Sequence, residues 1–216
     1  MNAEHRLTFV FIMLAVAALW QMGLGAWIHT KAFAAQVLLD HAWQQTLIEQ
    51  KPNRPWPWAD TWPVAELIVP GLDVSRIVLA GDSGESLAFG PGHSFASAMP
   101  EERGTVLISG HRDTHFGFLQ NLKKGERLIL KTRSGIHYYT VRKMQVVDSR
   151  LYKADAANDE LILVTCYPFN SAISGGSQRY LVHAQRERTF DGTTLISRRD
   201  AEHAEVVYSL AIVKQS

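Results

Sequence analysis

With 216 residues, 46% hydrophobic and 20% charged, the chain is long enough for one cored domain plus an appendage. A formal net charge of +1, with Lys and Arg scattered rather than gathered in a stripe, excludes a phosphate backbone as partner, so no nucleic acid is expected. A single cysteine excludes an internal disulfide, a zinc ribbon and a CxxC redox pair.

Leu7 to Ile28 carries no charged residue. As a helix these 22 residues would span about 33 Å, against about 30 Å for a bilayer core. A secretory signal is the competing reading: His5 and Arg6 make a short basic start, and Gly25-Ala26 and Ala34-Ala35 offer small residues for cleavage. The apolar run is longer than a usual signal core, so an uncleaved transmembrane anchor over residues 1–28 is expected. His29 to Gln50 keeps helical spacing through Phe33, Val37, Leu38, His41 and Leu47, and reads as a stalk leaning on the following domain. Lys51 to Pro63 then mixes four prolines with Trp56, Trp58 and Trp62, an extended linker that closes the 29–63 region. Its tryptophans suit either a membrane interface or a groove on the domain.

From residue 64 the pattern turns to strands. Ala65 to Val69 stops at Pro70-Gly71, and Val74 to Leu79 returns as its partner. Gly90-Pro91-Gly92-His93 reads as a turn, whose His93 is expected to be exposed. Arg103 to Ser109 is a strand that breaks at Gly110 and presents His111. A short helix is expected over Phe116–Leu122, closed by Gly125. Glu126–Thr132 and Ile136–Val147 alternate around Arg133-Ser134-Gly135, a hairpin signal. Asp148 to Asp159 is a polar connection. Leu161–Val164 is a continuous apolar run, the mark of a strand covered on both faces. Pro168 cannot donate to a ladder, so that strand should end there with Cys166 at its lip. Gln178 to Ala184 opens a last strand with Arg179 near its start. About eight short strands at this spacing predict a mainly β fold, a small closed barrel with short helices over residues 64–188. Residues 189–216 form a C-terminal extension, apolar enough over Val206–Val213 for one more strand or a docked helix.

Cys166, His111 and Arg179 therefore each fall at a strand end, where side chains can converge. A lone cysteine is by itself more often a small buried hydrophobe than a nucleophile. The three segments SGHRDTHF, LVTCYPF and RYLVHA change that reading. They resemble, in order, the His, TLxTC and Arg signatures of sortases, cysteine transpeptidases of bacterial surfaces. The TCYPF form is similar to class D enzymes, and the short anchored chain looks like the Gram-negative, marine-proteobacterial type. The resemblance covers about residues 64–188. It implies a sortase-type barrel in which Cys166 is the nucleophile, His111 the acid and then the base, and Arg179 the group that holds the substrate carbonyl. Thr165 matches the last threonine of TLxTC and is expected to hydrogen-bond beside the thiol. Asp113 is expected to position Arg112 or its loop. Ile162 stands where many relatives carry the first threonine. The acidic cluster that binds calcium in some class A enzymes has no counterpart, so no metal or other cofactor is expected. The resemblance further implies a secreted or envelope protein with a C-terminal LPxTG-like signal as partner, cut between Thr and Gly and passed to an amine. The catalytic domain would face outward from the bacterial inner membrane.

Other assignments of the same residues remain open at this level. His115, four positions after His111, is a rival base. His111, Asp113 and His115 include metal-ligating types, but they lack the HExxH order and a separate third ligand. Water and an amine attack the same thioester, so an anchored peptidase would have the same sequence. A non-catalytic barrel that binds peptide by strand addition is the alternative from another class.

Overall fold

The computed structural model describes residues 3–152, 158–171 and 176–187, without the side chains of residues 3–10 and 23–29. One long helix, α1 (Ala3–Glu49), runs from the start of the chain through the expected anchor and stalk without a break. Its C-terminal half docks through Leu39, Ala42, Trp43 and Thr46, all at most 3% exposed. These residues recur at three- and four-residue steps and form one face of the helix. Trp43 Nε1 donates to Glu66 on the barrel at 3.3 Å, and Gln36 donates to the carbonyl of Phe89 at 2.9 Å. The stalk thus leans on the domain as expected, but by a different face. Phe33, Val37 and Leu38, taken from the sequence as part of its apolar stripe, are exposed.

Among the described residues no helix is long and apolar enough to cross a membrane. The transmembrane span expected over Leu7–Ile28 is therefore not supported. The ends of the expected span lie among the undescribed side chains.

After α1 the linker folds back over the barrel. Trp62 packs against the core, and Trp56 meets the ring of Phe89 edge-on at 5.0 Å. Trp58 stays 79% exposed. Two of the three tryptophans thus pack on the domain, and Trp58 does not.

Eight strands follow: β1 (Pro63–Val69), β2 (Val74–Ala80), β3 (Gly92–His93), β4 (Val106–Ser109), β5 (Arg127–Lys131), β6 (Ile136–Asp148), β7 (Glu160–Cys166) and β8 (Gln178–Arg186). They close in the order β1-β2-β3-β4-β7-β8-β6-β5, with β5 pairing back to β1. The closed eight-stranded barrel is the fold class expected, and closure leaves no free edge. The hairpin between β5 and β6 turns at Arg133-Ser134-Gly135 as predicted. Gly135 has φ +148°, and the Thr132 amide donates to the Gly135 carbonyl at 2.8 Å. The short helix α2 (Gly84–Phe89) forms between β2 and β3, and the helix expected after Phe116 is a 3₁₀ turn over Gly117–Asn121.

Side chains alternate across each strand. Leu161 and Leu163 of β7 and Val182 and Ala184 of β8 point into the barrel core with Leu67, Leu130 and Tyr139. Ile162, Val164 and Cys166 take the opposite face. Burial holds the Tyr139 phenol un-ionised, with its pKa pushed up to about 12.

His93 departs from its expected place. It is not an exposed turn residue but half of the two-residue strand β3, fully buried, which bridges β2 and β4. Its Nε2 meets the Ala98 carbonyl at 2.8 Å, and Nδ1 has no hydrogen-bond partner among the described residues. Burial lowers its pKa, which keeps the ring neutral. Close approach explains its neighbour Gly92, where a Cβ would stand 2.2 Å from the Gly81 carbonyl oxygen. The extension 189–216 and residues 153–157 of the loop between β6 and β7 lie outside the described residues.

Candidate active site

Three adjacent strands carry the three candidate groups. β4 and β7 run parallel, with Ser109 opposite Val164. β7 and β8 run antiparallel, and Cys166 lies directly opposite Arg179. Directly paired residues project to the same face of a sheet, so the thiol and the guanidinium share one side. The β4 register continues past its last strand residue, because the Gly110 amide donates to the Val164 carbonyl at 3.0 Å. That step brings His111 level with Cys166. Residues 68 positions apart at the extremes of the chain segment, His111 and Arg179, thus flank the cysteine from either side.

The strand ends are held by short-range chemistry. Thr165, 2% exposed, donates its hydroxyl to the Gly110 carbonyl at 2.7 Å. Its job is to join β7 to β4 at the level of the site, one residue before the thiol. At Gly110 a Cβ would sit 2.7 Å from the ring of buried Phe116, so only glycine allows the chain to turn there. The Phe116 amide returns to the His111 carbonyl at 2.9 Å and closes the loop that presents the histidine.

His111 itself is exposed, and Cys166 and Arg179 are half-buried. Arg179 Nη1 donates to the carbonyls of Gly176 at 2.6 Å and Gln178 at 2.9 Å. Among the described residues both of its hydrogen bonds use that one nitrogen.

The rival groups are disposed otherwise. His115 is half-buried near Ala88 of α2, and burial together with the charge of Arg76 lowers its pKa. Asp113 is 70% exposed but accepts a forked pair of hydrogen bonds from Arg112 at 2.7 and 3.1 Å, which lowers its carboxyl pKa. His111, Asp113 and His115 therefore do not converge as a ligand set, and among the described residues no group of three such side chains is placed to hold a metal. His183 pairs with Glu160 at 3.0 Å and meets Gln145 at 3.0 Å on the outer wall, away from the cysteine.

Sequence reasoning missed two features. Tyr167, Phe169 and Tyr180 make an aromatic group in the chain just after the cysteine and across from it on β8: Tyr167 lies 6.3 Å from each of the others, Phe169 and Tyr180 are 5.2 Å apart, and the last two pack against the barrel core. The aromatic content of TCYPF is the signal that could have found it. Arg112 is buried at 7% exposure, although it follows an exposed histidine, and no local pattern marks it.

Comparison with known proteins follows the same segments. A family profile described as a sortase domain matches residues 67–187. Sortase D of Bacillus subtilis (strain 168) is 33% identical over 123 residues, which is 56% of this chain and 62% of that protein. The chain thus spans about three fifths of that relative's length. Among solved structures, sortase A from Corynebacterium diphtheriae superposes with a TM-score of 0.53 at 26% identity, covering 72% of this chain and 70% of that one. Sortase C-1 from Actinomyces oris gives 0.50 at 27% identity, covering 59% and 76%.

Proposed function

From the premise that this chain belongs to the sortase family, we propose that it is a cysteine transpeptidase that cuts an LPxTG-like signal between Thr and Gly. The observation that carries this reading is the register: Cys166 sits opposite Arg179 on β8 and level with His111 beyond β4.

The thiolate of Cys166 attacks the carbonyl carbon of the threonine, and the carbonyl electrons move onto oxygen beside the Arg179 guanidinium. Arginine stays charged at any relevant pH and presents a planar fork of donors to that oxygen. The C–N bond then breaks, and His111 gives its proton to the leaving glycine nitrogen. A thioester remains on Cys166. An incoming amine attacks it, passes a proton to the now neutral His111, and releases the thiolate. A cysteine of ordinary pKa, about 8.5, is only a few per cent thiolate at pH 7, so a neighbouring imidazolium raises the reactive fraction. Thr165 and Asp113 act by support: the first joins β7 to β4, the second anchors Arg112.

The partner would be a secreted or envelope protein ending in such a signal, and the acceptor an amine. Incubation with a peptide bearing the signal should add the mass of its N-terminal fragment to Cys166. Added triglycine should then convert the adduct into a ligated product. Prior alkylation with iodoacetamide should block both. An adduct that water clears at the same rate with or without triglycine would make the protein a peptidase, and no adduct at all would reject the reading.

We also propose that α1 holds the domain at the bacterial inner membrane with the barrel facing outward, as in the Gram-negative type. Phe11, Leu14, Leu19, Trp20 and Met22 are 61–72% exposed on this helix, an apolar surface that water does not favour. The full chain should stay with the membrane fraction through carbonate extraction, and its release would reject the attachment.

A further inference from the structure

His111 and Cys166 come from different strands, and each is followed by irregular chain rather than by more ladder. Something has to hold the two segments at a fixed spacing beyond the last strand hydrogen bonds. The guanidinium of Arg112 lies between them. Nη1 donates to the Pro168 carbonyl at 2.6 Å, and Nη2 donates to the Ser171 carbonyl at 2.8 Å. Nε and Nη2 also grip the Asp113 carboxylate at 2.7 and 3.1 Å. One side chain, adjacent to His111, thus spends four hydrogen bonds on its own loop and on the segment that leaves Cys166.

We propose that Arg112 is a positioning residue, a clamp that fixes the His111 loop against the Tyr167–Ser171 segment and so sets the geometry between base and nucleophile. The proposal rests on the transpeptidase reading above but concerns a residue that takes no part in bond making. The residue type follows from the demand. A buried cation needs a counter-charge, which Asp113 supplies, and two carbonyls in different directions need a forked donor. Lysine has a single nitrogen and cannot reach Asp113, Pro168 and Ser171 together. The clamp also sets its charge near the sulfur: after the Asp113 hydrogen bonds, the Cys166 thiolate is among the charges that raise the guanidinium pKa. Charge alone would make lysine an adequate substitute, so the two contributions separate experimentally.

The test compares R112Q, R112K and D113N with R133Q, which breaks a half-buried ion pair to Glu101 remote from the site. Each full-length protein is assayed for kcat and KM on the signal peptide. Backbone amide exchange is followed over residues 167–171. A misplacement of about 1 Å costs on the order of 10²-fold in rate, so R112Q and R112K should both lose ~10-fold or more in kcat. KM should stay within about 2-fold. Exchange over 167–171 should quicken in both. D113N, altered only at an exposed carboxylate, should lose several-fold in kcat and decides the matter if the Arg112 variants fail to fold. R133Q should match the parent in both readouts. Parental kcat in R112K would show that charge, not the clamp, matters, and unchanged kcat in D113N or equal losses in R133Q would overturn the proposal. A parent that cleaves no peptide would reject the transpeptidase reading. In that case unchanged exchange in R112Q would reject the clamp as well, and faster exchange would leave a clamp with no reaction to position, which also overturns the proposal.

Discussion

His111→Ala is expected to lower turnover by about 10²- to 10⁴-fold, the range that general acid–base catalysis contributes, while His115→Ala keeps most of the activity. The two histidines are four residues apart and equally plausible by composition. The fold separates them. His111 stands exposed at the end of β4, level with Cys166 through the Gly110–Val164 hydrogen bond. His115 is half-buried, and burial and the charge of Arg76 depress its pKa. A group that must protonate a leaving amine has to carry a proton at working pH, and a depressed pKa acts against that. Steady-state rates on the signal peptide, with thermal melts to confirm folding, check the expectation. Equal losses from both substitutions would mean that the pair acts together and that the assignment to His111 alone is wrong.

Arg179→Lys is the second large effect, and its interest lies in two rates moving apart. Lysine keeps the charge but loses the planar fork. If Arg179 holds the reacting carbonyl, peptide transfer should fall by ~10²-fold or more, the scale of removing one oxyanion donor. Alkylation of Cys166 by iodoacetamide should change little, because that reaction develops no oxyanion. The structure sharpens the expectation. Arg179 lies opposite Cys166 in the ladder, and Nη1 is held by the carbonyls of Gly176 and Gln178. Those two bonds orient the guanidinium before substrate arrives, and a lysine ammonium would not reproduce that orientation. A parallel fall in alkylation and transfer would recast Arg179 as an electrostatic neighbour of the thiol.

Much of the site was legible because its residues stand at strand ends that the sequence itself marks. The apolar run before Gly110 and the run before Pro168 stop for local reasons: close packing of Phe116 at one, a missing amide at the other. Once those ends are fixed, Cys166 and His111 are fixed with them. The hairpin at Arg133-Ser134-Gly135 was legible for the same reason, since a glycine at φ +148° serves the turn wherever the chain goes next. Thr165 was placed beside the thiol from its motif, and the structure adds the atom it reaches, the Gly110 carbonyl.

Other features depend on what lies across the fold rather than along the chain. Which face of α1 docks was not readable, because Phe33 and Val37 fit a helical stripe as well as Leu39 and Trp43 do. The barrel surface around Glu66 selects the second set. His93 sits in a Gly-Pro-Gly-His stretch that reads as a turn, and it becomes a buried strand only because β2 and β4 leave a gap that two residues can bridge. Arg112 is the clearest case. A charged residue beside an exposed histidine is expected in water, and burial is favourable only where a carboxylate and two carbonyls surround it. Local sequence determined where the strands end and which groups they present, since those limits come from each residue's own geometry and donors. Tertiary structure alone decided the carbonyl partners of Arg112 and the surroundings of His93 and α1, because a buried polar or apolar group is stabilised by neighbours that arrive from distant parts of the chain.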